Sequence, residues 1–222
     1  MDLTPTTGEP GDPVDVEGTD FAASASVGIG FGPEVDVTGE LPTVTDNGEG
    51  SNPRIITGYT ANKPIKPGSF FWAVNFGQAE PTEYSDNGDG TLDSNSGPAF
   101  TGTINYTTGY FTQTSTSFTS FPASDIEIDY TTYEVDVTPS GLATNSSGML
   151  SGEITVPDIW NGTEPVTVID DQGNVATSNF TIYGSDVVPE PLTIGAIVLL
   201  SSAALVVSFY CLRKRSYTEG VA

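Results

Sequence analysis

The sequence predicts an all-β ectodomain joined to one C-terminal transmembrane α-helix. Three observations carry this reading. Apolar and polar residues alternate with period two along most of the chain, which is the pattern of half-buried strands. The chain holds 25 Gly and 16 Pro among its 222 residues, a composition that works against helices. One run, Leu192 to Leu212, is apolar over 21 residues, with no charge, Asn, Gln or Pro.

The strands are legible one by one. Val14-Asp15-Val16, Val27-Gly28-Ile29-Gly30-Phe31 and Val35-Asp36-Val37 alternate in the first part of the chain. Ile126 to Tyr130, Tyr133 to Val137, Ile154 to Val156 and Phe180 to Ile182 do so later. Each places apolar side chains on one face and acids or hydroxyls on the other. Asn47-Gly48, Asn87-Gly88, Asp89-Gly90, Asn161-Gly162 and Gln172-Gly173 separate them, and these are dipeptides that accept the positive φ of tight turns. Charged outer faces also resist edge-to-edge pairing between chains.

Composition excludes several function classes. There are 29 acids, 6 bases and no histidine. One acid, Glu219, and three bases lie beyond the apolar run, so 28 acids face 3 bases before it. Such a field repels phosphate, and no nucleic-acid partner is expected. The only cysteine is Cys211, so the ectodomain has no disulfide and no thiolate metal site. Without histidine there is no Ser-His or Cys-His nucleophile and no zinc site of the usual ligand types. No carboxylate pair stands out for glycoside hydrolysis. No enzyme activity and no cofactor are expected.

Leu192 to Leu212 would extend about 30 Å as a helix, matching the hydrocarbon core of a bilayer. Arg213, Lys214 and Arg215 follow at once, orienting the tail 213–222 to the cytoplasm and the β part outward. Phe209 and Tyr210 sit where an interfacial aromatic belt falls. Just before the span stands Pro189-Glu190-Pro191. A Pro-Glu-Pro motif, an apolar helix and a basic cluster, in that order, resemble the PEP-CTERM class of sorting signals. The resemblance implies processing by an exosortase- or archaeosortase-like enzyme, which cuts at the motif and transfers the protein to a surface lipid or polymer. Ser216 to Ala222 extends past the basic cluster, where such signals usually end, so permanent anchoring stays open. The first residues carry no basic or apolar leader, and further sequence upstream of Met1 is expected.

Two distant segments resemble the opening and closing of one immunoglobulin-like domain of the IPT/TIG type. The opening is Leu3 to Gly8, then Gly11 to Phe21 with its Gly18-Thr-Asp-Phe21 turn, then the Val27/Ile29/Phe31 strand. The closing is Gly152 to Pro157, Pro165 to Asn174 and Phe180 to Ile182. Glu-Val-Asp-Val-Thr occurs at 34–38 and again at 134–138, as if a strand were left at the first copy and resumed at the second. The predicted organisation is an Ig-like β-sandwich in two halves (1–38 and 134–183) around an inserted β-rich module (39–133), with tandem but separate domains as the alternative. A short linker (184–191) and the membrane span (192–212) follow. Within the insert, Lys63 to Phe70, Tyr84 to Leu92 and Thr101 to Phe111 resemble a scaffolding module of surface and phage-structural proteins, which implies no catalysis.

Several residues are weighed as sites. Asp86 to Asp93 superficially suggests a calcium loop, but Gly88 and Gly90 occupy positions where ligands are needed, so it reads as a hairpin and no metal ligands are assigned. Asn105, Asn145, Asn161 and Asn179 head Asn-x-Ser/Thr sequons and are candidate glycosylation sites. Asn145 and Asn161 are expected in loops, Asn105 and Asn179 in strands. Phe70, Phe71, Trp72, Phe76 and Trp160 offer a sugar-stacking platform or, more simply, β core. The expected protein is a cell-surface structural or adhesive one, with glycans or other surface proteins as partners. Its alternatives are a carbohydrate-binding module and the anchor-proximal piece of a larger exported protein.

Overall fold

The computed structural model describes residues 1–48, 51–74, 82–95, 97, 100–116 and 126–184, which belong to one compact unit, Met1–Ser185. The Pro189-Glu190-Pro191 motif, the Leu192–Leu212 run and the Arg213-Lys214-Arg215 cluster lie outside the described residues. Every regular element among the described residues is a strand, and none of them forms a helix long and apolar enough to cross a membrane.

The strands in chain order begin with β1 (Asp2–Thr4), β2 (Thr7–Gly8), β3 (Pro13–Gly18), β4 (Val27–Glu40) and β5 (Val44–Asp46). Next come β6 (Arg54–Tyr59), β7 (Phe71–Val74), β8 (Thr82–Asp86), β9 (Thr91–Ser94), β10 (Phe100–Ile104) and β11 (Tyr110–Ser115). The last are β12 (Ile126–Asp136), β13 (Leu150–Thr155), β14 (Gly162–Asp170) and β15 (Val175–Ile182). They form a three-stranded sheet, β1-β3-β13, and a twelve-stranded ladder, β2-β15-β14-β4-β12-β7-β8-β9-β10-β11-β6-β5. The pairings are antiparallel except β2 with β15, which is parallel.

Two cores result. The first lies between the three-stranded sheet and β15-β14-β4. Leu3, Val14, Val16, Leu150 and Ile154 come from one side and Ile29, Phe31, Val166, Val168 and Phe180 from the other. These are alternate residues, as a sheet with one buried face requires. Phe31 and Phe180 meet edge to face at 5.8 Å. Gly18 serves this core through space rather than through its φ. A Cβ there would stand 2.8 Å from the Phe21 ring, which closes the end of the sandwich.

The second core is enclosed by the other part of the ladder. Three strands separate β7 from β11 in sheet order, yet Phe111 packs on Trp72 at 5.8 Å and on Phe70 at 5.5 Å. The sheet therefore curls until its own apolar face meets itself, as right-handed twist permits. Tyr84 and Ile128 fill the same space, and the Gln113 amide donates to the Tyr84 hydroxyl at 2.7 Å. At the edge, the buried Arg54 guanidinium pairs with Asp46, holding that carboxyl below its ordinary range.

The first Glu-Val-Asp-Val-Thr lies within β4, and the second begins in the neighbouring β12 and runs past its end at Asp136. Glu34 lies opposite Tyr133 and Val37 opposite Tyr130, so the copies sit on adjacent strands without facing each other. The chain therefore does not resume an interrupted strand. It leaves along β4 and returns along the adjacent antiparallel β12. Val27 to Gly32 of β4 are buried, but Val35 is exposed, because there the strand has passed beyond the first core. Half-burial of Val35, expected from its alternation, is thus not found.

Glycines bring the two cores into close contact. A Cβ on Gly28 would meet Pro64 at 2.8 Å, and one on Gly173 would collide with the Gly88 carbonyl oxygen and touch Tyr106. Thr107 and Ser26 are 3.3 Å apart, and the Ser26 hydroxyl donates to Asp171 at 2.7 Å. Ile169 of β14 packs in the second core although its strand belongs to the first.

Candidate functional site

The Asp86–Asp93 hairpin is closed by its own hydrogen bonds. The Asp86 carboxylate accepts from Gly68 N at 2.7 Å, Gly88 N at 2.9 Å and the Tyr106 hydroxyl at 2.6 Å. Burial, and then the adjacent Asp86 carboxylate, push the Tyr106 hydroxyl well above its ordinary value. Asp89 accepts from the Thr91 hydroxyl and N–H, which lowers its carboxyl. Gly88 and Gly90 both hold positive φ, the turn geometry their dipeptides predict. No group of three potential metal-ligating side chains occurs among the described residues.

The four sequon asparagines differ in setting. Asn145 and Asn161 are exposed outside strands and Asn179 is exposed on β15. Asn105 is not in a strand. It heads the β10–β11 turn, half-buried, and its Oδ1 accepts from the N–H and the hydroxyl of both Thr107 and Thr108. The sequence misled because Ile104-Asn105-Tyr106 alternates like a strand, while asparagine's capacity to bond the backbone two residues on makes the turn.

The aromatic cluster divides. Phe70 and Trp72 are core, and Phe76 lies outside the described residues. Trp72 Nε1 and Gln113 Oε1 are buried without a hydrogen-bond partner. Trp160, for which burial was expected, is 80% exposed. It lies in the connection between β13 and β14, where its neighbour Ile159 packs on the first core.

Two exposed surfaces emerge that the sequence did not single out. The first lies on the ladder around the second core. Tyr59 and Tyr110 face each other across β6 and β11 with ring centroids 5.0 Å apart, and Tyr59 is 60% exposed. Beside them runs a row of paired threonines on five successive strands: Thr45, Thr57, Thr112, Thr103 and Thr91. The Thr103 and Thr112 hydroxyls are 2.7 Å apart. Pairing repeats every other residue on one face, so rings and hydroxyls share a side of the sheet. Finding this row needs the strand register, which the sequence alone does not supply.

The second surface is the end of the sandwich where β15 delivers the chain to Gly184. Ile182 pairs with Gly162, so Trp160 and the 51% exposed Tyr183 flank the same end. A shallow recess there is lined by Glu9, Pro10, Gly11, Val156, Asp158 and Gly184. Its two carboxylates make it unsuited to anions. No family model, curated protein or solved structure matches this chain.

Proposed function

We propose that this chain is a non-enzymatic structural or adhesive protein of the cell surface, held there through its C-terminus. In this reading an Ig-like sandwich of the IPT/TIG type carries an inserted β-module outward. One observation carries the reading. The first and last parts of the described chain build a single sandwich, and its final strand ends at Ile182, ten positions before the uncharged 21-residue run. The strand order supports the Ig-like assignment. One sheet is β1-β3-β13, the other begins β2-β15-β14-β4-β12, and β2 runs parallel to β15. An opening strand split between two sheets, with its second half parallel to the last strand, is how many Ig-like sandwiches close. The inserted module occupies the connection between the neighbouring strands β4 and β12.

Two measurements test it together. Protease added to intact cells should digest the β part. If that part survives in cells whose protein fractionates with the cytosol, the proposal is refuted. Mass spectrometry of surface material separates the two modes of attachment. Loss of the residues after Pro189-Glu190-Pro191 supports sorting by an exosortase- or archaeosortase-like enzyme, and an intact Ala222 supports a permanent anchor with Arg213-Lys214-Arg215 inside.

The Tyr59–Tyr110 pair with its threonine row favours a second reading, recognition of a neutral glycan by stacking on the rings and hydrogen bonding to the hydroxyls. A glycan array with Tyr59→Ala as control tests this. Binding that survives the substitution refutes the assignment to this face. Trp72 is enclosed in the core and takes no part in such a platform.

A further inference from the structure

We propose that Trp160 and Tyr183 form an interfacial contact through which the sandwich rests on the bilayer that anchors it. The inference depends on the anchoring reading above and adds a lipid-binding surface to it. Trp160 is the most exposed large apolar side chain among the described residues. Its backbone is tied to the sandwich on both sides: Ile159 packs on the first core, Ile159 N donates to Pro157 O at 3.1 Å, and Gly162 is in register with Ile182. Tyr183 is equally fixed, with its N–H donating to Gly8 O at 3.0 Å. Two amphipathic side chains thus stand at one end of the sandwich on backbone that is tied to it.

The chain itself says what faces that end. Seven residues, 185–191, separate Gly184 from the apolar run. Fully extended they reach about 25 Å, so this end is confined to the neighbourhood of the membrane surface. Trp and Tyr are the side chains whose apolar ring and polar N–H or O–H suit the headgroup layer. The nearby Glu9 and Asp158 disfavour an anionic partner, which points to a zwitterionic lipid surface.

The two tryptophans make the test direct. Trp72 is fully buried and supplies a constant background, while Trp160 reports. The full-length chain is reconstituted in phosphatidylcholine vesicles, floated on a density gradient, and its emission is measured with lipids brominated near the headgroup end of the acyl chain and with aqueous acrylamide. The expected result is co-flotation, quenching by brominated lipid and protection from acrylamide. The brominated-lipid quenching should disappear in Trp160→Phe, which changes an exposed side chain and leaves the fold intact. A chain that floats while Trp160 stays open to acrylamide and unquenched by brominated lipid overturns this inference and leaves anchoring in place. A chain that fails to float overturns both.

Discussion

Gly173 offers a direct test of how the two cores are joined. It sits in the β14–β15 turn with φ of +86°, and a Cβ added there would overlap the Gly88 carbonyl oxygen and approach Tyr106 Cε2 at 3.2 Å. Gly173→Ala therefore imposes two costs. The left-handed backbone costs an L-residue about 1–2 kcal/mol, and overpacking against a backbone atom that cannot rotate away costs about 1–3 kcal/mol. The sum, about 2–5 kcal/mol, corresponds to a fall in Tm of about 5–15 °C for a domain of this size. Gly141→Ala separates the two parts, because Gly141 has φ of +74° with nothing within 4 Å of the new Cβ. It should cost only the backbone share. The assay is thermal unfolding followed by far-UV circular dichroism and, in parallel, by the fluorescence of Trp72, the tryptophan inside the second core. Wild type should give coincident transitions. Gly173→Ala should lower both, or split them if contact between the cores is what couples their unfolding. A Gly173→Ala protein whose Tm matches that of Gly141→Ala within a degree would refute the claim that this turn fastens one core to the other.

Other outcomes follow from single side chains. Asp170 is fully buried and accepts from Ala22 N, Gln172 N, Asn174 N and Asn174 Nδ2, so Asp170→Ala should cost about 3 kcal/mol or more in urea unfolding at unchanged m; a cost near zero contradicts the assigned network. The Asp46 carboxyl is lowered on folding by its hydrogen bond from Arg54, so its contribution is complete above about pH 4, the unfolded value, and is lost as pH falls through the lower folded one. Asp46→Asn should accordingly be less stable by about 1–3 kcal/mol at neutral pH, with the gap to wild type narrowing in acid; a gap that stays constant on acidification speaks against the pairing. If the chain is glycosylated, glycopeptide mapping should find sugar on the exposed Asn145 and Asn161 and none on half-buried Asn105, and occupancy of Asn105 in folded protein would contradict its described setting.

Much of the β architecture was readable because alternation and turn dipeptides are local signals. Val14/Val16, Ile29/Phe31 and Phe180/Ile182 are buried as their spacing demands, and Gly48, Gly88, Gly90 and Gly173 hold positive φ as theirs does. What escaped was non-local. The repeated pentapeptide marks two stretches on neighbouring strands, but only the pairing shows that the copies are offset and do not face each other. Val35 alternates correctly yet has no core beneath it. Trp160 is exposed in the connection between β13 and β14, where Ile159 is the residue that packs on the first core. The threonine row and the Tyr59–Tyr110 pair draw on strands scattered over residues 44–115, so no window of sequence contains them.

The route by which the chain passes between the two cores has a mechanical consequence. Both connections are long strands, bonded to each other from Gly30/Asp136 to Glu40/Ile128. A pull along this ribbon from the far side draws both strands in the same direction, so the load falls on the ladder between β4 and β14, whose rungs lie across the pull. Rungs in that orientation give way in concert instead of peeling singly. The strands that join the two cores are thus braced from the side by β14, and a bead swinging on a string would be the wrong picture of them.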